Sequence, residues 1–194
     1  MSIRVRLITL ILAGIALAGV TSCHRSGVEA ANENQTTDLS SQKILSMDDQ
    51  KFLVSADKTL IRQRNLAQAA VQKSKSGNVF EFARRVVADC SASLTELSRL
   101  MQAKHITEPS TVAEDLQLET SNRLQGLAGI DLDHKIISLM AAEQQQAVGI
   151  FSSAAETAGD PDVRKYASAT LPSLQRDSDR AAALEKKLST TMQK

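Results

Sequence analysis

Three polar residues interrupt helical stripes that are otherwise apolar, and their types are those that bind protons, soft metals or one another: Cys90, Gln144 and Asp177. Cys90 lies between Val86 and Leu94, Gln144 between Met140 and Ala147, and Asp177 between Leu174 and Ala181. Residues three and four apart share one face of a helix, so each of the three sits on the face its neighbours send into a core. A polar group there must find a partner or water. A Cys90 thiolate with the Asp177 carboxylate could bind a soft or borderline ion such as zinc, with Gln144 hydrogen-bonding nearby, and a thiol brings redox chemistry within reach. Two anionic ligands make a thin metal site, however. A buried Cys commonly behaves as a small hydrophobe, an interior Asp commonly pairs with a basic neighbour, here Arg176 or Arg180, and Gln is a poor ligand. The trio therefore stands as a candidate polar core site to which no metal or cofactor is assigned, and no residue is nominated as catalytic.

Such positions require helices, and start and stop signals divide the chain into five. Ser46 can cap the first, with Asp49 in its acidic first turn, and Gly77 ends it. Asn78 can cap the second, whose Glu81 has capping-box spacing, and this helix runs to about Lys104. Pro109 marks the loop beyond. Thr111 with Glu114 repeats the capping-box spacing and opens a shorter helix that Gly126 and Gly129 terminate. A fourth runs from near Leu132 to Gly159, after which Asp160 can cap and Pro161 can enter the first turn of a fifth. Pro172 falls inside that fifth pattern, where a missing backbone donor predicts a kink or a new segment. No segment alternates as a strand does.

Leu53, Ala56, Leu60, Ala67 and Val71 form the first apolar stripe, and comparable stripes run along the second, fourth and fifth helices. Tight turns at Gly77-Asn78 and Gly159-Asp160 predict two antiparallel pairs, while the stretch from about His105 to Asp131 is long enough to cross the length of a bundle. The expected fold is all-α: a ferritin-like four-helix bundle with an extra short helix in the crossover and a kinked C-terminal helix. An up-down bundle with a decorated middle loop is the alternative topology.

The N-terminus carries an address. Arg4 and Arg6 precede an apolar run from Leu7 to Val20, and small residues precede Cys23, which is an export-signal pattern. That run has 14 residues, against roughly 20 for a helix that crosses a bilayer. Val20-Thr21-Ser22-Cys23 resembles a bacterial lipobox, which implies cleavage before Cys23 and lipidation there. Two or more acyl chains anchor stably, each buried methylene contributing about 0.8 kcal/mol. His24 follows the cysteine; by resemblance to lipoprotein sorting, the absence of Asp at that place favours the periplasmic face of the outer membrane. The expected organisation is a signal peptide over 1–22, a lipidated, disordered polar tether over 23–45 and a helical domain over 46–194.

Charge excludes several classes. Lys and Arg number 23, Asp and Glu 22, and residues 1–22 contain two basic and no acidic side chains. The mature chain is thus nearly neutral, without tracts that point to nucleic acid or to electrostatic membrane recruitment. Phe52, Phe80, Phe82, Phe151 and Tyr166 are its only aromatics, too few for a base-stacking platform. With Cys23 lipidated, Cys90 is a lone thiol and no intramolecular disulfide forms.

The stretch Phe82-Ala83-Arg84-Arg85-Val86-Val87-Ala88-Asp89-Cys90 resembles the F-A-x-x-M-V-x-D-H stretch of the DUF4142 family of bacterial envelope proteins. In order along the chain, Gly129, Leu132 and Asp133 resemble its G-x-x-F-D segment, Gln144, Ala147, Val148 and Phe151 its H-x-x-A-I-x-L-F, and Leu171, Pro172, Leu174 and Asp177 its L-P-x-L-x-x-H. The resemblance spans most of residues 49 to 188 and implies a ferritin-like bundle, often exported, of uncertain biochemical role. It also implies histidine at three positions where this chain has Cys90, Gln144 and Asp177. A ferritin-type dinuclear site needs a glutamate from each of two helices and a Glu-x-x-His pair from each of the other two. Glu81 and Glu143 have no histidine three residues on, Arg62 and Arg64 occupy the middle of the first helix where an inward carboxylate is wanted, and His24, His105 and His134 are scattered.

Two functions from different classes follow. The favoured one is a non-enzymatic, membrane-anchored envelope lipoprotein whose bundle binds or supports an unidentified envelope protein or a second copy of itself. The other is a metal- or redox-active bundle that uses Cys90 and Asp177.

Overall fold

Ser46 opens the first helix by accepting the Asp49 amide on its hydroxyl at 3.0 Å, and Asp48 and Asp49 place negative charge in the first turn. The computed structural model describes residues 45–107 and 112–192. The expected signal peptide with Cys23, the expected tether up to residue 44, and Pro109 and Thr111 lie outside the described residues. Leu45, placed at the end of the tether by the sequence, is buried.

Among the described residues five helices follow in order: α1 (Met47–Lys73), α2 (Gly77–Ala103), α3 (Val112–Arg123), α4 (Gly129–Thr157) and α5 (Pro161–Met192). The first turn differs from expectation by a few residues. α1 stops at Lys73 with Ser74 as its cap, and Gly77 begins α2 after Ser76, so neither the Gly77 stop nor the Asn78 cap applies. The Ser74 hydroxyl, accepting the Ser76 amide at 3.1 Å, closes this turn without any need for glycine. α2 ends with His105 in the left-handed region, and the Ile106 amide reaches back to the Met101 carbonyl at 2.9 Å, a Schellman-type stop built on histidine. Asp160 caps α5 as expected, its Oδ1 accepting the amides of Asp162 and Val163. α4 starts at Gly129, three residues earlier than the sequence suggests. α5 continues through Pro172 as one helix. Pro172 is on the exposed face, where water can serve the carbonyl it leaves free, so no new segment begins there.

Connectivity decides the topology. Lys104, just past α2, holds Asp160 and Asp162 at the start of α5, both at 2.8 Å, and Asp49 of α1 accepts the Gly159 and Asp160 amides at 3.0 Å. The starts of α1 and α5 and the ends of α2 and α4 therefore share one end of the bundle. The start of α4 and the final turns of α5 meet the α1–α2 turn at the other end. The crossover carrying α3 thus runs the full length, as in ferritin-like bundles, and the up-down alternative does not apply. α1 packs on α2 and α4, α5 packs on α4 and α2, and α3 lies against α1. Glu143 of α4 joins the crossover to the bundle, with Arg123 of α3 at 3.0 Å and Arg62 of α1 at 4.0 Å.

The interior is continuous. Phe151 lies 5.2 Å from Phe52 edge-on and 5.9 Å from Tyr166, tying α1, α4 and α5 near the Lys104 end; such ring pairs contribute about 0.5–1.5 kcal/mol beyond the area they bury. Leu53, Leu60, Val86, Leu97, Ile136 and Met140 are almost fully enclosed. No helix among the described residues is long and apolar enough to cross a membrane.

Candidate functional site

Because the four long helices share their ends, depth along the bundle can be compared directly. From the Lys104 end, Cys90 and Gln144 lie about 13 residues in and Gln63 and Asp177 about 16, so at about 1.5 Å per residue all four sit roughly 20–24 Å from that end. One comes from each of α1, α2, α4 and α5, and none is more than 3 % exposed. A single polar layer crosses the middle of the core.

Gln63 is the member that sequence reasoning missed. The α1 stripe skips from Leu60 to Ala67, and Gln63 fills that gap on the same face, as Cys90, Gln144 and Asp177 fill theirs. The charged pair Arg62 and Arg64 drew the expectation to the wrong positions. Arg62 turns to Glu143, and the inward position belongs to Gln63.

Gln63 uses both ends of its amide. Its Oε1 accepts the Cys90 thiol at 3.6 Å and its Nε2 donates to the Glu143 carbonyl at 3.2 Å, which links α2 through α1 to α4. Burial pushes the Cys90 thiol up to about 12, the nearby Asp177 and Asp89 carboxylates add to the rise, and Arg64 opposes it. Cys90 and Asp177 are thus electrostatic neighbours across α2 and α5. Burial likewise pushes the Asp177 carboxyl up to about 6, with Asp89 adding and Arg176 and Arg85 opposing.

The expected partner of Asp177 is engaged elsewhere. Arg176 reaches across to Asp89 of α2 at 3.0 Å, and Asp177 Oδ1 has no hydrogen-bond partner. Gln144, although wholly enclosed, leaves both Oε1 and Nε2 without one. The structure therefore joins Cys90 directly to Gln63 and electrostatically to Asp177, while Gln144 shares their depth with no hydrogen bond to them.

The chemistry open to this layer is narrow. A thiol raised so far by burial is protonated at neutral pH, and here it donates its proton to an amide, so it lacks the thiolate that a free nucleophile requires. Asp177 is then the sole carboxylate of the layer, which lacks the glutamates and Glu-x-x-His pairs of a ferritin-type dinuclear site. Among the described residues no three His, Cys, Asp or Glu side chains group to hold a metal ion. His134, at the start of α4, contacts Ser189 at 3.2 Å, and His105 stands at the opposite end.

Compared with curated proteins and with solved structures, the chain finds no match in either. Against protein-family models it does: residues 34–184, which take in α1 to α4 and most of α5, match the model described as a domain of unknown function, and the chain belongs to that family, DUF4142.

Proposed function

We propose that the protein is a lipid-anchored envelope protein whose bundle works by association and not by catalysis, with the mid-core layer of Gln63, Cys90, Gln144 and Asp177 serving the architecture. The observation that carries the second half is the Cys90 thiol, which is enclosed, protonated and spent as a donor to Gln63. A layer of polar groups contributed by each of the four long helices favours one register among the several that smooth apolar faces allow. The anchor rests on Val20-Thr21-Ser22-Cys23 and the apolar run before it. Lipid on Cys23, a polar sequence between it and the first helix, and a nearly neutral domain together suit a module held at a membrane.

The anchor is tested by Cys23→Ala. The variant is expected to leave the membrane fraction for the soluble or precursor fraction and to lose acyl labelling completely. Unchanged labelling would overturn the lipid anchor. Association is tested by crosslinking in intact envelopes, which should capture a reproducible partner or a second copy of the chain. Recovery only as uncrosslinked monomer would count against it.

A further inference from the structure

The two ends of the bundle are built differently. At the Lys104 end, Asp49 commits both carboxylate oxygens to backbone amides of the α4–α5 turn. At the far end, Asp133 of α4 stands near the α1–α2 turn and is 4 % exposed, yet its Oδ1 has no hydrogen-bond partner. Asp133 lines a cavity of about 370 Å³ whose other walls include Lys75, Val79, Lys187 and Leu188. The two helices that begin beside it, α2 after Ser76 and α4 after Ala128, both start without a side-chain cap.

The charge logic of this cavity is two-sided. Asp133 lines one wall with one carboxylate oxygen sealed and unpartnered, and a hydrogen-bonding cation in the cavity would offset its charge. Uncapped helix starts leave amide donors with partial positive charge, and two lysine ammonium groups join them, so the same cavity asks for an anion. A simple cation meets the lysines, and a simple anion meets Asp133. A ligand with both charges satisfies all of them, and two lysines with two helix starts suit a phosphate better than the single charge of a carboxylate. The volume lies near the lower bound for ligand pockets, which suits a headgroup-sized molecule.

We propose that this cavity binds an aminoalkyl phosphate, its primary ammonium on Asp133 and its phosphate against the starts of α2 and α4 with Lys75 and Lys187. The proposal is independent of the lipid anchor, since it rests on the far end of the bundle and not on Cys23. Free metabolite and membrane-lipid headgroup share this chemistry, and the test separates them.

The test is calorimetric titration of the full-length protein with phosphoethanolamine, inorganic phosphate and ethanolamine. Phosphoethanolamine should bind saturably and at least about tenfold more tightly than either fragment. Asp133→Asn should remove that advantage, leaving phosphoethanolamine no better than phosphate. Lys75→Ala with Lys187→Ala, two exposed positions, should weaken phosphoethanolamine and phosphate alike and serves if Asp133→Asn does not fold. Flotation with vesicles of phosphatidylcholine, with and without phosphatidylethanolamine, separates the sources. A preference for phosphatidylethanolamine that free phosphoethanolamine competes away identifies the headgroup, and titration without that preference identifies the free molecule. Absence of saturable binding in both arms, or equal binding of phosphate alone, would overturn the proposal.

Discussion

Asp177→Asn is expected to raise the stability of the bundle by about 2–3 kcal/mol above pH 7 and to flatten its pH dependence between about pH 4 and 7. Asp177 is enclosed, its Oδ1 is unpartnered, and burial lifts its carboxyl to about 6, whereas an unfolded chain titrates near about 3.9. The folded state therefore holds the proton more tightly. The stability tied to this proton is fully present below the unfolded value and is lost as pH rises through the folded one. At neutral pH the wild-type protein keeps a charge in its core that Arg176 and Arg85 offset only in part, and asparagine removes that charge with little change of volume. Urea unfolding at pH 5 and pH 7.5 is the check: the wild-type protein should be more stable at the lower pH, and the variant should lose most of that difference, with burial of the Glu143 carboxyl leaving a remainder of it. A variant weaker than wild type at pH 7.5 would mean that the carboxylate is favourably held.

Gln144→Met is the second large effect, an expected gain of about 1–3 kcal/mol. Both polar atoms of Gln144 are enclosed without partners, so the folded state carries their desolvation with nothing in return, and methionine fills nearly the same volume without it. Gln63→Met provides the contrast. Gln63 is equally enclosed but accepts from Cys90 and donates to the Glu143 carbonyl, so its replacement should lower stability by about 1 kcal/mol. Chemical denaturation of the two variants side by side separates the cases. A loss at Gln144 matching that at Gln63 would mean that the native core satisfies both amides.

These opposite expectations for two glutamines in one layer mark what a sequence conveys and what it does not. The 3.6-residue period of Leu53, Ala56, Leu60 and Ala67 and its counterparts made the helices, their number and their inward faces legible, because periodicity is local information. Cys90, Gln144 and Asp177 were visible as interruptions of that period. Gln63 was missed although the same gap marks it, since the flanking Arg62 and Arg64 are more conspicuous than an amide. Arg176 could not serve Asp177 because successive helical residues do not face each other. Its partner, Asp89, stands on another helix, which only tertiary structure reveals. The direction of the crossover depended likewise on Lys104 meeting Asp160, a contact spanning α3 and α4.

The same reasoning gives the mid-core layer its place in the account. If Cys90 and Asp177 formed a reactive pair, the thiol would need to lose its proton near neutral pH. Instead the two carboxylates beside it and its burial oppose ionisation. The most direct measurement is the rate at which a maleimide modifies Cys90 in the folded protein between pH 7 and pH 9, compared with the same chain in denaturant. Protection by a factor of about a thousand or more throughout that range is the predicted result, and modification at a rate close to that of the unfolded thiol would contradict a structural role for the layer.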